Sequence, residues 1–331
     1  YIGRRKVIIS GFAVCMIGCV LSLFADHSIT LLIISRVFQG AGLAAGLPLA
    51  RTIVVECYEG KALSKIASWL SGIVSIAPAV APMLGGWITV HFGWHMNFIF
   101  VTILTAILLL LMILYLPETQ SANHKPSRHI FKNYMTMLVH PQFLGNVLTS
   151  SACYGLIYSY AILGPELFQH RLGFTPGQFG EITGLVIIGG LVGRLLSNRL
   201  LSYLEPKQLT QIGTSSLVII CLIMLVVSLV GYFNMWTIAI PMFACMVATG
   251  LIFSNATVMA FTPFRHLAGT AGSLFGCLQI TGTFITTWAI SGLIQHNQTP
   301  LASVFLVLSI IACITTFGIA RLPVRTPKEP S

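Results

Sequence analysis

The chain has 331 residues, of which 56% are hydrophobic and only 8% charged, and its mean hydropathy is +0.88. No soluble domain of this length needs so apolar a core, so the composition excludes a soluble enzyme or binding module and describes a polytopic membrane protein. The formal net charge of +10 does not indicate nucleic acid, because the basic residues are spread over short loops rather than gathered on one solvated face.

Apolar runs separated by short polar breaks predict ten spanning helices, at about 7–25, 29–54, 66–90, 97–116, 142–165, 177–197, 211–231, 236–261, 269–294 and 300–320. The first follows the basic cluster Arg4-Arg5-Lys6, ordinary at the foot of a span. The second carries Arg36 inside an apolar run from Ile29 to Val55. A fixed cation there costs about 2.5–3.5 kcal/mol on insertion scales. Arginine cannot shed its charge, so Arg36 is expected to face protein or a water-filled cavity. Gln39 and Gly40 follow three and four residues on, on the same helix face, where a neighbouring backbone would approach closely. The competing reading is a snorkelling arginine, since Arg36 lies about 10 Å inside the helix start.

The third span contains Ala77-Pro78-Ala79-Val80-Ala81-Pro82-Met83-Leu84-Gly85-Gly86. Two prolines each remove a backbone hydrogen bond and bend the helix, and adjacent glycines permit close packing. That suits either a moving helix interface or a kinked structural helix. His91 and His95 are four apart with Gly93 between them in a loop, so no metal site is expected. The longest polar break, Pro117 to Pro141, separates four spans from six. It divides the chain into an N-terminal half at 1–116, a linker at 117–141 and a C-terminal half at 142–331.

In the later spans, Tyr154 and Tyr158 either contact a ligand or belong to an interfacial aromatic belt. Asn255 and Gln279 either line a cavity or close interhelical hydrogen bonds. Glu181 is the only acid near a span's interior, close to one end. The eight cysteines fall mostly inside apolar runs without a CxxC pair, which indicates small core residues rather than a zinc site or a disulfide framework. Gly40-Ala-Gly42 with Gly46 has the wrong spacing for a dinucleotide fingerprint and follows no strand. No Ser/His/Asp or paired-carboxylate arrangement is present, so neither an enzyme nor a cofactor is expected.

Of the 18 lysines and arginines, all but Arg36 and Arg171 collect at one set of alternate span ends. This positive-inside pattern places both termini and the 117–141 segment in the cytoplasm.

Taken together these residues resemble the major facilitator superfamily, within it the drug/proton antiporters, and most closely the bicyclomycin-resistance (Bcr/CflA) type. Gly3-Arg4-Arg5-Lys6 is similar to the end of the family's loop between helices two and three. Arg36-Val37-Phe38-Gln39-Gly40-Ala41-Gly42 resembles its fourth-helix arginine motif, and Ala50-Arg51-Thr52-Ile53 with Glu56-Cys57-Tyr58 resembles the segment after it. Ala77 to Gly86 resembles the antiporter motif of helix five. Gly93-Trp94-His95 resembles Gly-Trp-Arg with the arginine replaced, and Pro117-Glu118-Thr119 resembles the end of helix six. Gly193 to Arg199 echoes the first cytoplasmic loop, and Gly250 with Asn255 and Ala268 to Gln279 resemble helices ten and eleven.

The resemblance implies an all-α polytopic fold with ten of an expected twelve helices. Four spans against six, in a fold built from matching repeats, implies that the first two are lacking. It further implies proton coupling at Arg36 and Gln39, gating at Pro78, Pro82, Gly85 and Gly86, and a cytoplasmic charge network of Arg4, Arg5, Glu56 and Arg199. Tyr154, Tyr158, Asn255 and Gln279 are the candidate cavity residues. The expected function is export of small drug-like molecules by proton antiport through alternating access, as a monomer in a bacterial cytoplasmic membrane. The alternatives are a transporter of one native metabolite on the same fold, or a truncated non-transporting membrane protein.

Overall fold

A computed structural model describes residues 3–25, 28–44, 46–58, 60–118, 130–293 and 297–320. Its helices are α1 (Arg4–Leu23), α2 (Ile29–Leu43), α3 (Gly46–Cys57), α4 (Gly60–Phe92), α5 (His95–Tyr115), α6 (Ile130–Leu138), α7 (Pro141–Pro165), α8 (Pro176–Leu200), α9 (Pro206–Leu229), α10 (Met235–Phe261), α11 (Ala268–Ile290) and α12 (Thr299–Ala320). A π-helical turn, Glu166–Arg171, extends α7, and a 3₁₀ turn, Thr262–Leu267, joins α10 to α11. Among the described residues, eight helical stretches are long and apolar enough to cross a membrane, and Ile29–Leu43 forms a shorter apolar helix.

Local sequence explains several starts. Ser28 caps α2 by accepting from the Leu31 amide at 3.2 Å. Thr175 and Gln178 form a reciprocal capping box with Pro176 in the first turn of α8, and Glu205, Pro206 and Gln208 do the same for α9. In two places the helices depart from the predicted spans. The 29–54 run is two helices, α2 and α3, because Pro48 has no N–H to offer the carbonyl four residues back. Within 117–141, residues 119–129 lie outside the described set, Ile130–Leu138 forms the short helix α6, and Pro141 opens α7.

The helices gather into two compact units. One comprises 1–77 and 84–127, the other 78–83 and 128–331. In the first, α1 packs against α2 and α5. Small residues set the α1–α2 approach: a Cβ on Gly42 would strike the Gly11 carbonyl, and one on Gly18 would lie 2.6 Å from the Ser35 carbonyl. Thr102 of α5 donates to the Cys19 carbonyl at 3.3 Å.

In the second unit α10 packs against α7, α8 and α9, while α12 bridges α7 and α9. Leu156, Tyr160, Phe168, Met242 and Phe305, all nearly inaccessible, form its core. In an apolar medium polar side chains need protein partners. Thr149 accordingly meets Thr315 at 2.8 Å, Ser228 meets Thr299 at 2.6 Å, and buried Gln298 accepts from Thr237 and donates to the Tyr232 carbonyl.

Candidate functional site

Arg36 sits in the middle of α2, where Nη1 donates to Gln39 Oε1 at 2.7 Å and the guanidinium carbon lies 5.0 Å from the centroid of the Phe98 ring on α5. The guanidinium itself is exposed, whereas Gln39 is buried and packed against Gly18 of α1. The i,i+3 pairing thus ties the cation to a buried amide. The glycine that admits the neighbouring backbone is Gly42; a Cβ on Gly40 would meet nothing within 4 Å. Which glycine faces α1 is decided by where the two helices cross, not by spacing from Arg36.

The Pro/Gly segment lies in α4, which continues as one helix from Gly60 to Phe92. The side chain of Pro78 lies outside the described residues. A Cβ at Gly85 would touch Asn97 Oδ1 at 3.5 Å, an ordinary contact, and Asn97 donates to Thr89 at 2.7 Å. Gly86 is half-buried. Residues 78–83 belong to the second unit, where the Pro82 carbonyl lies 2.5 Å from the position a Cβ on Gly180 of α8 would occupy.

Of the expected charge network, the Arg4 amide donates to Glu118 Oε1 at 2.9 Å and Arg5 Nη2 to the Ile113 carbonyl at 2.7 Å. Together they tie the start of α1 to the end of α5. Glu118 is the acid in this cluster, a role the sequence motif did not suggest. The side chain of Glu56 lies outside the described residues, and Arg199 is exposed in the last turn of α8, where a cation complements the helix dipole.

The second unit holds an arginine inside a span as well. Arg194 falls six residues before the end of α8, about 9 Å from it, and its guanidinium carbon lies 5.9 Å from the centroid of Phe253 on α10. Tyr154 stands 5.1 Å from the same ring and 6.3 Å from Tyr158, which is half exposed. Charge counting had assigned Arg194 to the cytoplasmic end of its span. The helix starts at Thr175-Pro176 and Glu205-Pro206 were the signal that it sits deeper.

Asn255 is buried and donates to Ser197 Oγ at 2.9 Å and to the Leu251 carbonyl at 2.7 Å, so its amide hydrogens are spent inside the α8–α10 interface. Gln279 on α11 is also buried, but its Nε2 has no partner among the described residues. Ser150 Oγ on α7, which packs against α11, is likewise buried without a partner among them. A donor left unsatisfied in an apolar interior costs about 1–3 kcal/mol, so these atoms stand ready for a polar ligand or water.

The arrangement is that of a multi-pass helical membrane protein with cations held against aromatic rings inside its spans. The profile of the Major Facilitator Superfamily matches residues 1–287. An uncharacterized MFS-type transporter, YdgK, of Bacillus subtilis (strain 168) is 28% identical over 328 residues, covering 96% of this chain and 80% of that protein. Multidrug resistance protein D of Escherichia coli (strain K12) is 26% identical over 333 residues, with the same 96% and 80% coverage. Among solved structures, the partially occluded, inward-open xylose transporter XylE of E. coli superposes with a TM-score of 0.73 at 14% identity, over 99% of this chain and 82% of that one. The chain belongs to the Major Facilitator Superfamily, and it has that superfamily's fold. Family and fold are those of transporters rather than enzymes.

Proposed function

We propose that the protein is a secondary active transporter of the bicyclomycin-resistance (Bcr/CflA) type, exporting small drug-like molecules in exchange for protons by alternating access. The observation that carries this reading is Arg36 within α2, bonded to Gln39 and stacked on Phe98, in a chain that aligns over nearly its whole length with a multidrug resistance protein. An intramembrane cation is costly and marks an ion or substrate pathway by default. Its guanidinium stays charged through a transport cycle, so its role in coupling is to bias a neighbouring acid or substrate rather than to carry the proton.

In this reading the aromatic group Tyr154, Tyr158 and Phe253 with Arg194 forms a wall for flat apolar substrates, and Gln279 offers the unsatisfied donor. Asn255 holds that wall in place. Pro82 against Gly180 is the element that shifts during switching, and Arg4 and Arg5 brace the cytoplasmic foot of α1. The halves 1–116 and 142–331 act as the moving bodies, with the chain through 117–141 as their cytoplasmic connector. The transporter works as a monomer in a bacterial cytoplasmic membrane with both termini inside. A single native metabolite as substrate is the second reading, favoured by the specific polar atoms on α7 and α11.

The test is reconstitution in vesicles under an imposed pH gradient. Efflux of a hydrophobic dye that follows the gradient and disappears in Arg36→Ala supports the proposal. Dye movement that ignores the gradient, or survives that substitution, refutes the coupling role.

A further inference from the structure

The core of the second unit contains a pair of thiols that the transport reading does not use. Cys221 of α9 and Cys245 of α10 lie with their sulfurs 3.8 Å apart, and both are fully inaccessible. Met224, one turn along α9, and Met242 and Met246, flanking Cys245 on α10, are buried in the same apolar cluster. Polarizable sulfur therefore surrounds the pair. Its ligand preference follows from charge and geometry.

Zinc is excluded by ligand number: a structural site takes four, and among the described residues no group of three His, Cys, Asp or Glu side chains is placed to hold an ion. A soft monovalent ion bound by two thiolates would leave a net negative charge in an apolar bundle, which is expensive to bury. A trivalent organoarsenical avoids both problems. In R–As=O plus two thiols, two As–S bonds form, the oxygen departs with both thiol protons as water, and arsenic remains trivalent. No electron is transferred, and the product, R–As(SR′)₂, is neutral. The pyramidal arsenic centre holds its two sulfurs side by side, at close to a right angle. This matches two thiols already in contact.

We propose that Cys221 and Cys245 form an intramembrane site for neutral, lipophilic trivalent arsenicals, reached from the bilayer and joining α9 to α10 when occupied. Access by partition into lipid follows from the burial of the pair: a polar reagent in water has no path to it.

The test uses the full chain in vesicles. The exposed thiols Cys57 and Cys277 are first replaced by serine, and phenylarsine oxide is then added. Intact-mass analysis should find one phenylarsenic per chain at the cost of two thiols, released by a dithiol and not by a monothiol. Cys221→Ala and Cys245→Ala should each abolish the adduct, while Cys153→Ala, which alters a neighbouring buried thiol outside the pair, should keep it. Fragmentation of the adduct formed by the chain carrying only the serine replacements needs no alanine variant to fold, and it should yield the piece bearing Cys221 joined to the piece bearing Cys245. An adduct that persists in both alanine variants, a bridge between other cysteines, or no adduct in that chain when folded would overturn the proposal.

Discussion

Arg36 makes two modest contacts, and their sizes set what its replacement should do. A cation over a partly buried ring contributes about 0.5–2 kcal/mol, and the 2.7 Å bond to Gln39 is held within one helix. Arg36→Lys keeps the charge but loses the planar fork that reaches an amide oxygen and an aromatic face together. The expected outcome is a loss of stability of about 1 kcal/mol, read as a small fall in detergent melting temperature, with gradient-driven efflux abolished. A large fall in melting temperature would make Arg36 a structural residue instead.

His140 gives a second residue-level expectation. Its ring lies 5.1 Å from Phe264, edge to face, and its buried Nδ1 has no partner among the described residues. Burial holds its pKa below the ordinary value of 6.5, so the folded protein binds this proton less readily than the unfolded chain. The stability at stake is therefore complete above about pH 6.5 and declines as pH falls through that value toward the folded pKa. His140→Gln should flatten this decline in a melting series from about pH 7.5 to pH 5. Identical pH slopes for both proteins would exclude the effect. That Arg36 and Gln39 share a helix face was legible in the sequence, because i,i+3 spacing fixes it within one helix. The roles of Gly42, Glu118 and Arg194 were not, because each depends on where a second helix ends or crosses.

At the level of elements, α8 and α10 meet along a seam of glycines. A Cβ on Gly193 would overlap the Val247 carbonyl, and one on Gly250 would lie 2.5 Å from the Gly190 carbonyl. By contrast a Cβ on Gly190 itself would come no nearer than 3.8 Å to the Met246 carbonyl. Gly190→Ala should thus be neutral, or stabilising by up to about 1 kcal/mol through helix propensity. Gly193→Ala must push two backbones apart, at a cost of about 1–3 kcal/mol. Thermal inactivation of the two variants side by side is the measurement, and equal tolerance would show that the helices are not in contact there. Glycine content announced close packing in the sequence, whereas the α2–α3 break fell inside what reads as one continuous apolar span. Periodicity did not reveal which glycines touch, because a helix hydrophobic on nearly every face carries little information about its neighbours.

For the whole molecule, nine of the ten apolar runs each correspond to one helix and the tenth, 29–54, to two, since in a bilayer the length and continuity of apolar sequence leave few other structures available. Orientation rests on charge, and the loops of the second unit give it a direct test. Leu200 ends α8 and Pro206 begins α9; Leu229 ends α9 and Met235 begins α10. The first of these loops is flanked by Arg199 and Lys207, and the second has no basic residue near it. If α9 crosses the membrane, the two loops lie on opposite sides, and the positive-inside rule puts the first in the cytoplasm. Tyr203 in the first loop is 85% exposed and Tyr232 in the second 64%, so a cysteine at either position is open to reagent without repacking. With Cys57 and Cys277 replaced by serine, an impermeant maleimide applied to intact cells should label Tyr232→Cys and leave Tyr203→Cys untouched until the cells are opened. The opposite pattern would invert the molecule in the membrane, and labelling of both from outside would mean that α9 does not span.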